Sequence, residues 1–267
     1  MFSSDVNDPD PLGCSAGVCN YDLFIMNPDG TGVTQLTSDT EYQETSPSAS
    51  PDGSRIVFNR FGQQTNDVWV VNVDGSGAAK LIDRADAPAW SSDGSKIALE
   101  AYPGPMLSVA NQDGSGPQAI VDLEQTGLFG ISAMAWAPDG TQIVFSAFTK
   151  VATGRIYVVG ADGSGLSEIA SGKDFVGGVA WSPDGKKIAY DDGSAIFLID
   201  PDGKNETKLI DKGSEPAWSP DGRLLAYRTA RGVAKGFSIH TVHADGSGDT
   251  ILTDDPVKIF GLCWTGA

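Results

Sequence analysis

The side chains with chemical potential in this chain lie in short, divergent segments, not in one compact motif. "SDTEYQETS" (38–46) offers Tyr42 and Glu44, "DRADA" (83–87) Arg84 and Asp86, and "LEQTGLFGIS" (123–132) Phe129. "SGKDFVG" (171–177) adds Lys173 and Phe175, "DKGSE" (211–215) Glu215, and "DDPVKIF" (254–260) Lys258 and Phe260. Aromatic rings set among charges are the usual anchors of protein–protein contacts. Glu44 and Glu215 are of the type that does acid–base work in pairs, though sequence cannot give their separation. Arg228, with Arg231 and Lys235 in "RTARGVAKG" (228–236), forms a small basic patch suited either to receiving a carboxylate or to balancing neighbouring Glu and Asp. Asp5, Asn7, Asp8 and Asp10 are oxygen ligands of the kind calcium prefers, but the segment lacks the glycine and distal glutamate of an EF-hand loop.

Support for catalysis is thin. The two histidines, His240 and His243, fall in "SIHTVHADG", where His240 takes a slot held elsewhere by Phe24, Trp69, Tyr157 and Phe197. Both read as structural. "DGSG" is too short for a phosphate loop and opens no helix. Cys14 and Cys19 are close enough to bridge within one loop, which would suit an oxidising compartment; zinc is the weaker reading, since no histidine or second pair is near. "NET" (205–207) is a formal glycosylation sequon. No cofactor motif is present.

A net charge of −17 argues against nucleic acid and against an anionic membrane surface, both of which need clustered Lys and Arg. No apolar run is long enough to insert into a membrane. With 33 glycines, 15 prolines and 40% apolar residues, the composition predicts a folded chain rich in turns.

What positions the divergent segments is a repeat. "AWSPDG" at 180–185 returns at 217–222, with looser copies "SASPDG" (48–53), "AWSSDG" (89–94) and "AWAPDG" (135–140), and a clipped "CWTGA" (263–267). Ala49, Trp90, Trp136, Trp181, Trp218 and Trp264 share one slot, spaced by 37 to 46 residues. A second motif keeps step: "NPDGTG" (27–32), "NVDGSG" (72–77), "NQDGSG" (111–116), "GADGSG" (160–165), "DPDGKN" (200–205) and "HADGSG" (243–248). This is the period of propeller blades with four strands each. One unit reads strand a ("VAW"), Asp-Gly turn, strand b ("KKIAY", 186–190), variable loop, strand c ("AIFLID", 195–200), second Asp-Gly turn, strand d ("ETKLI", 206–210). The slot tryptophans are expected to fill the space between blades, and Cys263, in a slot otherwise held by alanine, to be a small packed residue and not a nucleophile.

The chain opens on "MFSS", which matches strand b, and finishes on "LCW" (262–264), which matches strand a. The expected fold is therefore all-β: a six-bladed β-propeller of four-stranded antiparallel blades, one domain over 1–267, closed by the C-terminal strand joining the N-terminal blade. The interleaved "AWSPDG" and "NPDGTG" motifs resemble the repeats of the TolB C-terminal β-propeller and of WD-like propellers, over essentially the whole chain. The resemblance implies a periplasmic, secreted or surface location, as a monomer or as part of a larger chain. Since a–b and c–d turns emerge on one face, the divergent b–c and d–a loops share the other, and binding is expected there. The expectation is a non-catalytic module recognising a protein or peptide. The alternatives are a hydrolase or lyase acting on a saccharide or peptide in the channel, and a structural repeat scaffold.

Overall fold

The computed structural model describes residues 1–5, 21–39, 41–62, 66–151, 153–173, 176–230, 236–253 and 259–265. Cys14, Cys19, Asn7, Asp8, Asp10, Phe175, Arg231, Lys235 and Lys258 lie outside these residues, and with them the disulfide and calcium readings.

Each repeat folds into one antiparallel sheet. The first blade joins β1 (Phe2–Ser4), β2 (Asp22–Ile25) and β3 (Thr34–Gln35) to the last strand, β24 (Ile259–Leu262), in the order β24-β1-β2-β3. The second is β4 (Gln43–Ala49), β5 (Arg55–Phe61), β6 (Asn66–Asn72) and β7 (Ala79–Ile82). The third is β8 (Ala85–Trp90), β9 (Lys96–Ala101), β10 (Met106–Asn111) and β11 (Gln118–Asp122). The fourth is β12 (Leu128–Trp136), β13 (Gln142–Thr149), β14 (Gly154–Gly160) and β15 (Ser167–Lys173). β16 (Val179–Trp181), β17 (Ile188–Asp191), β18 (Ile196–Ile199) and β19 (Thr207–Ile210) make the fifth. β20 (Ser214–Trp218), β21 (Leu224–Ala230), β22 (Phe237–His243) and β23 (Thr250–Ile251) make the sixth. The inner strands β24, β4, β8, β12, β16 and β20 touch in succession around the axis, so the sheets stand in a ring.

The ring closes as expected, with one difference. Phe2 pairs with Leu262, Ser3 with Phe260 and Ser4 with Ile259, so the closing strand starts ahead of "LCW". Gly261 (φ 64°) bulges the pairing, and Cys263 continues it, its N–H donating to the Met1 carbonyl at 3.1 Å and its carbonyl accepting from the Met1 ammonium at 2.7 Å.

Six apolar clusters hold the described residues together, and each spans one seam between adjacent blades. Leu23 with Ile56 and Phe58 fills the first seam; Val57, Val68, Trp90 and Leu99 fill the next. Phe2, Phe24 and Ile239 seal the last blade against the first. Strands packed on both faces bury every residue, which is why β17 reads Ile-Ala-Tyr-Asp without alternation. Within blades, strands b and c carry a cross-strand aromatic pair: Phe2–Phe24, Phe145–Tyr157 and Tyr190–Phe197 stack at 5.3–5.6 Å, and Tyr227 meets His240 at 5.2 Å. His240 is buried there, with Nδ1 3.0 Å from Asp249 and Nε2 3.0 Å from Ser238.

The turns consume their own polar groups. Asp52 Oδ1 accepts from Ser50 Oγ, Ser54 N and Ser54 Oγ at 2.6–3.0 Å, which, with the serine hydroxyl first, pushes its carboxyl down to about 2. Trp136 Nε1 donates to Ala89 O and Trp264 Nε1 to Ala217 O, each 3.0 Å and each reaching the preceding blade. At these two seams the slot tryptophan both fills and cross-links, whereas Trp181 Nε1 donates to Gly185 O of its own turn at 3.2 Å. Among the described residues no helix is long and apolar enough to cross a membrane.

Candidate functional site

A central channel of about 1210 Å³ runs between the inner strands. At the a–b turn end it is walled by Trp90, Trp136, Trp181, Trp218 and Trp264; at the b–c/d–a end by Thr45, Ser132, Asp191, Glu215 and Arg228. Strand direction alone sets this polarity, since every inner strand enters from its d–a loop and leaves at the slot position, Ala49 in the second blade and tryptophan in the others.

The residues picked from the d–a segments mostly belong to strands, because strand a starts earlier than its motif and, in the fourth blade, strand d runs on to Lys173. Glu44 lies in β4, Asp86 in β8, Phe129 in β12, Lys173 in β15, Glu215 in β20 and Phe260 in β24. Phe129 is exposed at 56%, and its ring lies 6.0 Å from that of Phe148. Tyr42 is half-buried, with the Arg60 guanidinium 5.0 Å above its ring. Glu44 is buried beneath it, Oε1 3.2 Å from Arg60 Nε, while Asp39 holds the other side of the same guanidinium. Arg84 is exposed; its N–H donates to Asp67 at 2.9 Å.

One group is brought together tightly. Glu215 and Arg228 pair at 2.9 Å beside the channel, Arg228 lies 4.5 Å above the Phe237 ring, and Glu215 Oε2 accepts the Gly261 N–H. Asp191 lies beneath them. It accepts N–H groups from Gly178 (2.7 Å), Gly193 (2.9 Å) and Glu215 (2.9 Å), tying the fifth blade to the sixth.

Asp191 belongs to a set that sequence reasoning missed. One residue after the strand-b partner of the cross-strand pair, the six blades carry Ser3, Asn59, Glu100, Ser146, Asp191 and Arg228. Glu100 Oε2 accepts Ile131 N at 2.7 Å, and Ser146 Oγ donates to Gly177 O at 2.6 Å, each in the next blade. The signal was available as a polar residue at a fixed place in an otherwise apolar strand.

Burial raises several of these acids. Desolvation outweighs the arginine beside Glu44 and Glu215, and the backbone donor on Glu100, lifting each carboxyl to about 7. The folded state therefore holds these protons more tightly than the unfolded chain. The stability so gained is complete below about 4.5 and is lost as pH rises through about 7. Turn carboxyls such as Asp52 and Asp93, held down to about 2, act oppositely, their contribution failing only as pH falls towards that value. At roughly 1.4 kcal/mol per pKa unit, each of the three glutamates makes a difference of about 3 kcal/mol. Urea midpoints are expected to be higher at pH 5.5 than at pH 8, and Glu100→Gln should flatten the difference. A midpoint that rises with pH over this range would contradict it.

No family profile matches the chain. It is 26% identical over 148 residues to an uncharacterized protein of Agrobacterium fabrum, covering 49% of this chain and 48% of that one. Against dipeptidyl-peptidase 5 of Porphyromonas gingivalis it is 26% identical over 198 residues, 53% of this chain and 28% of the peptidase. The chain thus spans about half or less of the length of these curated relatives. Among solved structures, TolB from Acinetobacter baumannii superposes with a TM-score of 0.77 at 19% identity, covering 92% of this chain and 63% of that one. A chain of a nidogen/laminin complex gives 0.76 at 11% identity (91% and 94%), and an oligogalacturonate lyase in complex with manganese 0.62 at 16% (87% and 72%). The fold is that of the TolB propellers; at these identities the likeness is one of fold alone.

Proposed function

We propose that this chain is a non-catalytic recognition domain, a single propeller over 1–267, that docks a protein or peptide on the b–c/d–a face around the channel. The observation that carries this is an exposed apolar patch on that face of the third and fourth blades. It consists of Phe129 (56% exposed), Phe148 (36%), Tyr102 (40%) and Val151 (81%). Gly130 leaves room for it: a Cβ there would stand 2.8 Å from the Phe148 ring. The opposite face offers mainly turn aspartates already satisfied by their own serines. An apolar patch rimmed by charge marks an interaction surface. A TolB propeller and a nidogen/laminin chain among the fold neighbours are in keeping with binding, and with a periplasmic or extracellular home for a monomer or a part of a larger chain.

Phe129→Ser/Phe148→Ser should reduce partner retention on the immobilised ring at least tenfold, with the melting temperature unchanged. Lys186→Ala/Lys204→Ala on the turn face should leave retention intact. Equal retention by both variants would end this reading. Tyr42 is unsuited to the test because it packs on Arg60.

The Glu215–Arg228 pair favours a second reading, a lyase or hydrolase. A carboxyl raised to about 7 beside a channel suits general acid–base chemistry at neutral pH, and Arg228 would hold an anionic saccharide. Turnover of an oligogalacturonate that disappears in Glu215→Gln would select it over recognition.

A further inference from the structure

A second cavity, of about 240 Å³, lies at the b–c/d–a end where the second, third and fourth blades meet. Asn59, Asn66, Asp86, Thr45 and Phe61 line it. Its buried polar atoms are acceptors lacking a donor. Asn59 is 2% exposed, and its Oδ1 has no hydrogen-bond partner; the Oδ1 of Asn66 is likewise buried without one. Asn66 Nδ2 donates to Asp86 Oδ2 at 3.0 Å, which fixes that carboxylate against the cavity, and Asp86 Oδ1 accepts Ala87 N at 2.6 Å.

Two features mark this as a built site. Asn59 occupies the strand-b position whose counterparts Glu100, Ser146 and Asp191 bond to the next blade, yet it lines the cavity with its Oδ1 unpartnered. An acceptor left unmade is costly, and a bound donor removes that cost. Ser46 (φ 51°) and Ala87 (φ 48°), each followed by proline, line the same cavity in left-handed backbone. Both sit in bulges of their inner strands, between Thr45 and Ser48 and between Asp86 and Ala89, and such bulges re-aim the neighbouring side chains.

We propose that this cavity receives the cationic head of an arginine or lysine side chain presented by the docked partner. A guanidinium has donors only, a charge to match Asp86, and a flat face to lay on Phe61. The volume equals that of roughly eight waters at about 30 Å³ each, enough for such a head and part of its stem. A hard divalent cation fits the donor set less well, because it would meet one carboxylate. Among the described residues no three His, Cys, Asp or Glu side chains group as metal ligands. The net charge of −17 draws basic segments towards this surface. The proposal rests on the docking reading for the source of the side chain, but its site can be tested without a partner.

The probe is N-acetyl-arginine methylamide, titrated into 15N-labelled full-length protein while the Asn59 and Asn66 side-chain amides are followed. Saturable shifts at both are expected. The uncharged citrulline analogue should give none, and Asp86→Asn should raise Kd at least tenfold while Glu124→Gln, an exposed charge change, leaves it unaltered. Equal binding of citrulline overturns the proposal, and that comparison needs no variant to fold. An unchanged Kd in a folded Asp86→Asn protein, or saturable shifts at the same amides with calcium alone, overturns it too. Arginine binding that survives in Phe129→Ser/Phe148→Ser, in a protein that retains no partner whether wild-type or variant, would uphold this site and sink the docking reading by itself.

Discussion

The Asp191→Ala protein is expected to melt about 10 °C below the wild type, the largest loss for any single carboxylate on the ring. Its side chain is 1% exposed and meets three backbone N–H groups from three segments: Gly178 ahead of β16, Gly193 after β17, and Glu215 in β20. Alanine leaves these donors unmet in a space too tight for easy repair, since a Cβ on Gly177 would stand 2.7 Å from the carboxylate. Each orphaned buried donor costs about 1–3 kcal/mol, and water entering from the channel recovers part. A net loss of about 3–5 kcal/mol corresponds to roughly 2–4 °C per kcal/mol for a chain of this size. Asn should lose nearly as much, because its amide NH₂ would point one donor at another. A calorimetric melt decides it: a shift under 2 °C for alanine would mean that the fifth and sixth blades are not held together through Asp191.

That residue also marks the border of what sequence could give. Blade number, strand order and ring closure were legible because they are encoded by period: two Asp-Gly turns per unit and a tryptophan at a fixed offset need no knowledge of distance. "AIFLID" and "ETKLI" contain the strands found there, Ile196–Ile199 and Thr207–Ile210, and "KKIAY" holds all but the last residue of Ile188–Asp191. The polar position of strand b escaped notice because Ser, Asn, Glu, Asp and Arg share no type, although Glu100, Ser146 and Asp191 all use it to meet the next blade. Glu44 shows the limit from the other side. Its d–a segment looked like a loop, but the chain enters β4 at Gln43, and the carboxylate turns inward beneath Arg60. The left-handed residues Ser46, Ala87 and Glu215 were equally hidden; each precedes a proline, yet only the inter-blade spacing forces the bulge. Phe129 kept its expected exposure, and its ring contact with Phe148 brings together the ends of two strands in one blade.

The second large effect concerns the glycine of the c–d turn, whose role differs from that of its neighbouring aspartate. Gly30 has φ +82°, and a Cβ there would lie 2.3 Å from the Leu252 carbonyl oxygen, at the seam where the last blade meets the first. The same approach recurs round the ring: Gly75 on Leu36 O at 2.8 Å, Gly114 on Leu81 O at 2.6 Å, Gly163 on Ile120 O at 2.6 Å, and Gly203 on Ile169 O at 3.0 Å. Only at Gly246, φ +84°, does the gap open to 3.6 Å from Leu209 O. Every c–d turn thus rests on the outer strand of the blade before it, and glycine is needed twice over, for its backbone angle and for its missing side chain. The two needs separate experimentally. Gly246→Ala bears chiefly the left-handed cost of about 1–2 kcal/mol. Gly30→Ala adds an overlap with backbone that cannot rotate away, and forced overpacking costs a further 1–3 kcal/mol or so. The Gly30 variant should therefore unfold at a clearly lower urea concentration than the Gly246 variant, with unchanged slope. If the two lose the same stability, blade spacing is set by the apolar seams alone, and the turn glycines serve only the turn.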